Sequence, residues 1–218
     1  MVKLLTLDWE GTLVNFQWNL VEAVEEVHQI LARNKKVPRQ ALQEKDYALL
    51  YNLLQEKKEE WELEEELFLL MDQIYDRYDL DAASRWQPKP GLEEAIEKLE
   101  GYHKALVTNV GRKGLEKVLP RFGLQDQFGL ILTRNEVRFL KPSGEGLIRA
   151  MEWAGATREE TIHIGDSFSD LYAARETGIK IGILLGGQNA PEELRREQPD
   201  LILERLTELP SALARITS

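Results

Sequence analysis

The chain has 218 residues, with 38 acidic against 28 basic side chains, a formal charge of −10 and no cysteine. The missing thiols exclude disulfides, thiolate metal sites and cysteine nucleophiles, and the acidic surface argues against nucleic acid or an anionic membrane as the main partner. Hydrophobic residues at 43% and charged residues at 30% predict a folded, soluble protein built as one large domain or as a core plus a small domain.

Residues 2–7 read as a short buried strand that ends in Asp8, Trp9, Glu10, Gly11 and Thr12. From about 16 to 85 the pattern is helical. VEAVEEVHQILARN (21–34) has apolar residues at helical spacing. A segment from Pro38 to about Glu60 follows, with Pro38 suited to a first helical turn, and then a third helix over 62–80. The acidic run QEKKEEWELEEE within this block reads as a solvated helix face. The aromatics Phe16, Trp18, Tyr47, Tyr51 and Trp61 read as packing residues.

At Pro88-Lys89-Pro90-Gly91 the style changes to short apolar strands alternating with amphipathic helices. Strands are predicted at 104–109, 130–133, 161–165, 180–186 and 201–204, with helices between them and a last helix after them. That alternation predicts an α/β fold: a parallel sheet covered on both faces, with the helical block inserted after the first strand. No internal repeat and no low-complexity linker interrupts it. Charge arrives at Asp8 and Glu10, too early for the apolar stretch of a signal peptide, so a cytoplasmic location is expected.

Open parallel sheets bind ligands at the carboxyl ends of their strands. Those ends carry Asp8 and Glu10, then Thr108-Asn109, then Lys141-Pro142 after a short excursion, then Gly165-Asp166 through Asp170. Singly, each has an ordinary explanation: Ser169 reads as a helix cap, His163 as a packed strand residue and Gly186-Gly187 as a turn. Together they describe a site. Clustered carboxylates repel unless a cation joins them, and hard oxygen ligands suit Mg²⁺. A lysine and small polar donors can hold phosphoryl oxygens. One carboxylate can attack phosphorus, and an acid two residues on can handle protons.

These residues give the chain its resemblance to the haloacid dehalogenase superfamily, in the phosphatase-like branch with a helical cap, similar to phosphoglycolate phosphatases. The first family motif, Asp-x-Asp-x-(Thr/Val), matches Asp8-Trp9-Glu10-Gly11-Thr12 except at its second acid. The second matches Thr108, the lysine motif matches Lys141-Pro142, and Gly-Asp-x-x-x-Asp matches Gly165-Asp166 through Asp170. The resemblance implies a Rossmann-like core over 1–14 and 87–218, with 15–86 as a mobile cap. It implies Asp8 as nucleophile and Mg²⁺ ligand. Glu10 would be the acid and base, with its backbone carbonyl on the metal. Asp166 and Asp170 would be the remaining metal residues. Thr108 and Lys141 would hold the phosphoryl group, with Thr12 and Asn109 in support. The implied reaction is Mg²⁺-dependent hydrolysis of a small phosphorylated metabolite through an aspartyl-phosphate, by a monomer or homodimer.

Glu10 stands where family phosphatases usually have Asp. Its acidity is adequate, but its extra methylene changes the reach of the carboxyl. On sequence alone, Glu10→Asp is therefore expected to raise turnover on alkyl phosphates. A weak or inactive relative that binds a phosphorylated ligand is the alternative. Dehalogenases and phosphonoacetaldehyde hydrolases also vary at this position. The paired Asp166 and Asp170 speak against the former, and no cap lysine among Lys35, Lys36 and Lys45 is singled out for the latter.

Overall fold

The structure is a computed structural model that describes residues 1–216. Six parallel strands form one sheet in the order β3-β2-β1-β4-β5-β6. They are β1 (Leu4–Leu7), β2 (His103–Val107), β3 (Leu130–Leu132), β4 (Thr161–Gly165), β5 (Lys180–Leu184) and β6 (Leu201–Leu203). This is a Rossmann-like α/β sheet with β1 near its centre, paired to β2 and β4. Side chains alternate across it, as strand geometry requires. Leu5, Leu7, Leu106, Ile162 and Ile164 enter the core of one face. Leu4, Ala105, Val107, Ile181 and Ile183 enter the other.

The second face is covered by α6 (Glu145–Ala154), α7 (Phe168–Thr177) and α8 (Pro191–Arg196). The first is covered by α4 (Leu92–Glu97), α5 (Arg112–Val118) and α9 (Leu209–Ile216). The inserted block holds α1 (Leu20–Leu31), α2 (Tyr47–Glu56) and α3 (Glu65–Arg85). Its apolar stripes, among them Val24, Val27, Leu50, Leu54 and Met71, join the same buried cluster as Leu5 and Leu7. The block leaves and re-enters at one place: the Asn15 N–H donates to Gln87 O (3.0 Å), and Val14 bridges Pro88 in antiparallel sense.

Three helical expectations change. The segment after Pro38 is a 3-10 turn, Arg39–Gln43, followed by a fresh helix, because the Asp46 carboxylate accepts from the Ala48 and Leu49 N–H groups and caps α2. The acidic run spans the end of α2, the turn and the start of α3 rather than one helix face. The helix that GRKGLEKVLPRFG (111–123) predicts on sequence stops at Val118 and gives way to a 3-10 turn, Pro120–Phe122, since Pro120 has no N–H to continue it.

Candidate active site

β1, β2 and β4 deliver Asp8, Thr108 and Asp166 to one sheet edge, in register because Leu7 pairs with both Leu106 and Ile164. The loop after β3 brings Lys141 across. Its buried ammonium donates to Asp8 Oδ1 at 2.7 Å and to Asp170 Oδ1 at 2.5 Å. Asp8, Asp166 and Asp170 each offer an oxygen within 4.8 Å of the others, and all three are buried. Burial pushes the Asp8 carboxyl up, against the pull of Lys141. Asp166 is raised further by burial and by its neighbours Asp170 and Asp8. Burial also works on Asp170, but Lys141 and His163 hold it well below the usual carboxylate range.

The carboxylates are tightly placed. Asp166 accepts from the Thr12 hydroxyl at 2.8 Å and from the Gln188 N–H at 2.7 Å. A Cβ at Gly11, whose φ is +87°, would lie 2.2 Å from Asp166 Oδ2, and one at Gly187 would lie 2.0 Å away. Only glycine admits the carboxylate there. Asp170 sits in the first turn of α7, where the Ser167 hydroxyl and backbone N–H donate to its Oδ2 in a capping box. Ser167 is thus the cap in place of Ser169, and α7 starts at Phe168, two residues before the start that a Ser169 cap would set. His163 is more than a packed strand residue, for its Nε2 lies 3.0 Å from Asp170 Oδ1 and its Nδ1 lies 2.9 Å from the Thr6 hydroxyl.

Two residues expected to support a phosphoryl group bond to the site's own residues, though Asn109 also lines the cleft. The Thr12 hydroxyl serves Asp166. The Asn109 amide donates to Lys141 O at 2.8 Å and accepts from the Lys141 N–H at 2.9 Å, so it fixes the lysine loop. Thr108 lies on the cleft with Asp8 and Lys141.

Glu10 reaches the same cleft, but its carboxylate is not one of the three that converge. Glu10 Oε1 accepts from the Gln17 N–H at 2.6 Å and from the Trp86 indole N–H at 2.8 Å. Burial lifts its pKa to about 7, opposed by these two bonds and helped by nearby Asp79. Trp86 is wholly buried and packs edge-on against Trp9, with ring centroids 5.8 Å apart. The donors come from the two chain segments that enter and leave the helical block.

Arg134, also unforeseen, lies behind the cleft with its side chain fully buried. It donates to Asp72 (3.0 Å), Asp76 (2.7 Å) and Asp79 (2.8 Å), three acids on successive turns of α3. Gly111 N–H adds a bond to Asp79 at 2.9 Å. The pattern Asp-x-x-x-Asp-x-x-Asp on one stripe of α3 was the available signal.

Three buried acids against one lysine leave negative charge that a hard divalent cation fits, and the glycines at 11 and 187 keep the donor set compact. The arrangement gathers three carboxylates and a lysine at the carboxyl edge of a parallel sheet, where such folds bind their ligands. Haloacid dehalogenase-like hydrolases match residues 2–178 as a family. A pyrophosphatase PpaX from Halalkalibacterium halodurans is 31% identical over 56% of this chain and 58% of its own length, so this match spans a little over half of that relative. A phosphoglycolate phosphatase from Nitrosococcus oceani is 30% identical over 71% of this chain and 70% of its own. Among solved structures, a predicted phosphoglycolate phosphatase from Haemophilus somnus 129pt superposes with a TM-score of 0.67 at 22% identity, covering 100% of this chain and 98% of that one. L-2-haloacid dehalogenase from Xanthobacter autotrophicus gives 0.60 at 20% identity, covering 98% and 99%. At such identities the structures testify to the fold. The chain belongs to the haloacid dehalogenase-like hydrolase family.

Proposed function

We propose that the protein is a Mg²⁺-dependent phosphatase that hydrolyses a small phosphorylated metabolite through an aspartyl-phosphate on Asp8. The observation that carries this reading is the Lys141 ammonium bound to both Asp8 and Asp170 (2.7 and 2.5 Å), with Asp166 alongside. The relatives named phosphatase and pyrophosphatase support cleavage at phosphorus.

Asp8, Asp166 and Asp170, with the backbone carbonyl of Glu10, would hold the cation. When bound, it offsets charge on the phosphoryl oxygens. Lys141 and Thr108 hold the same oxygens from the protein side. An Asp8 oxygen attacks phosphorus and the ester P–O bond breaks. Glu10, poised near neutrality by burial, gives its proton to the departing alkoxide. The resulting Glu10 carboxylate then takes a proton from water. The hydroxide oxygen attacks phosphorus, the bond to Asp8 breaks, and inorganic phosphate leaves with Glu10 protonated again. In this reading residues 15–86 are a cap over a core of 1–14 and 87–218, and closure of the cap excludes bulk water.

The test is p-nitrophenyl phosphate hydrolysis with Mg²⁺. Chelator is expected to silence it and Mg²⁺ to restore it. Asp8→Asn is expected to abolish turnover while circular dichroism stays native. A tenth of the parent rate in Asp8→Asn, or full activity in chelator, overturns the assignment.

A further inference from the structure

The cleft above Asp8 has about 550 Å³ of atom-free space, part of it open to solvent. Its far wall comes from the helical block: Phe16, Trp18, Leu20 and Tyr47 supply apolar surface, and Asp46 and Asp79 supply acids. Trp18 and Tyr47 lie with ring centroids 4.6 Å apart. Among the described residues lining the cleft, Lys141 is the one cationic side chain, and it sits on the floor between Asp8 and Asp170.

Two features of that wall otherwise suited to an anion are already occupied. The first is the N-terminus of α2, whose free N–H groups attract carboxylates and phosphates. The chain's own Asp46 takes the Ala48 N–H at 2.9 Å and the Leu49 N–H at 3.0 Å. The second is the Arg134 guanidinium behind Asp79, which is spent on Asp72, Asp76 and Asp79 and has no exposed surface. A second anionic group on a substrate would therefore meet carboxylates, aromatic faces and uncharged donors such as Ser169 and Gln188, with no lining cation beyond Lys141 to offset its charge. A neutral or ammonium-bearing group would meet apolar contact, ring faces and Asp46.

We infer that the site selects phosphomonoesters whose alcohol part carries no second anion, an apolar or amino alcohol, and discriminates against hydroxy-acid phosphates and diphosphates. This rests on the phosphatase reading above, and it separates the chain from the substrates for which its relatives are named.

The experiment compares kcat/KM for small matched esters with Mg²⁺ present: propyl phosphate, phosphoethanolamine and 2-phosphoglycolate, with inorganic pyrophosphate and p-nitrophenyl phosphate alongside. The neutral and ammonium esters are expected to exceed 2-phosphoglycolate and pyrophosphate by tenfold or more. Asp46→Asn keeps the helix cap, since Asn caps as well as Asp, but removes the charge. It is expected to narrow the gap between propyl phosphate and 2-phosphoglycolate by about threefold, the scale of one partly screened charge across the cleft. A merely structural loss would slow both esters alike. If 2-phosphoglycolate or pyrophosphate matches or beats the neutral ester, or if Asp46→Asn leaves the ratio unchanged, the inference is overturned while the phosphatase reading stands. If even p-nitrophenyl phosphate is not turned over, the phosphatase reading fails and takes this inference with it.

Discussion

At the scale of single residues, Glu10 decides how the site is understood. On sequence alone its extra methylene reads as a misplacement that Glu10→Asp would correct. The structure gives grounds for the opposite outcome, because the longer side chain brings Oε1 to 2.6 Å from the Gln17 nitrogen and 2.8 Å from the Trp86 indole nitrogen. Shortening the acid withdraws it from both donors, and a displacement near 1 Å can cost about a hundredfold in rate. Glu10→Asp is therefore expected to lower kcat on alkyl phosphates at least tenfold, with KM little changed, in a steady-state assay. Trp86→Phe keeps the ring but removes the donor. It is expected to lose about 1–3 kcal/mol of stability in urea and to lower kcat in the same direction. A Trp86→Phe enzyme with parent kcat would show that the indole N–H does not position the acid. The acids at 8, 166 and 170 and Lys141 were legible because each follows a strand end in a recognisable order. Trp86 was not, since it lies 76 residues from Glu10 and nothing local marks a tryptophan as a donor. Gln188 is equally silent, since it acts through its backbone N–H.

At the scale of elements, α3 carries the most unforeseen feature. Helical periodicity located it, and strand alternation located the sheet, because burial on one face or both leaves a period in the sequence. Helix interruptions were harder to read: Asp46 and Pro120 act through backbone groups whose partners depend on the local turn. The Arg134 contacts with Asp72, Asp76 and Asp79 tie α3 to the loop after β3. Removing one partner of a buried ionic group costs about 3–5 kcal/mol, since the others are left uncompensated. Arg134→Met is expected to lose that much in urea unfolding at pH 7. Burial already pushes the Asp79 carboxyl up, with Arg134 opposing it, and without the guanidinium it must rise further. A carboxyl raised in the folded state costs nothing below its unfolded pKa, near 3.9, and its cost grows as pH climbs through the folded value. The deficit of Arg134→Met is therefore expected to shrink as pH falls from 7 towards 4.5. A deficit independent of pH would mean that lost packing, not stranded charge, is its cause.

At the scale of the whole molecule, ligand binding and stability are linked. Asp8, Asp166 and Asp170 repel one another beside a single buried ammonium, so a cation that binds only the folded chain should stabilise it. Mg²⁺ at 100 times its dissociation constant is worth about 2.7 kcal/mol, or roughly 5–10 °C for a chain of this size. Differential scanning fluorimetry is expected to record that rise in the parent and to lose it in Asp166→Asn, whose metal-free form should melt no lower than the parent in chelator. A Mg²⁺ shift that survives Asp166→Asn would place the ion elsewhere. The paired segments at Val14–Pro88 and Asn15–Gln87 have a consequence at this scale too. Because the helical block departs and returns at one point, its length and sequence can drift through evolution without rethreading the sheet, and loop closure penalises added length only logarithmically. Beyond the Arg134 contacts and the shared core, that freedom has a further condition. The donors that seat Glu10 are Gln17 and Trp86, which belong to the two crossings. A lineage that exchanged this block for another would have to inherit the crossings with it or recruit new donors for the acid.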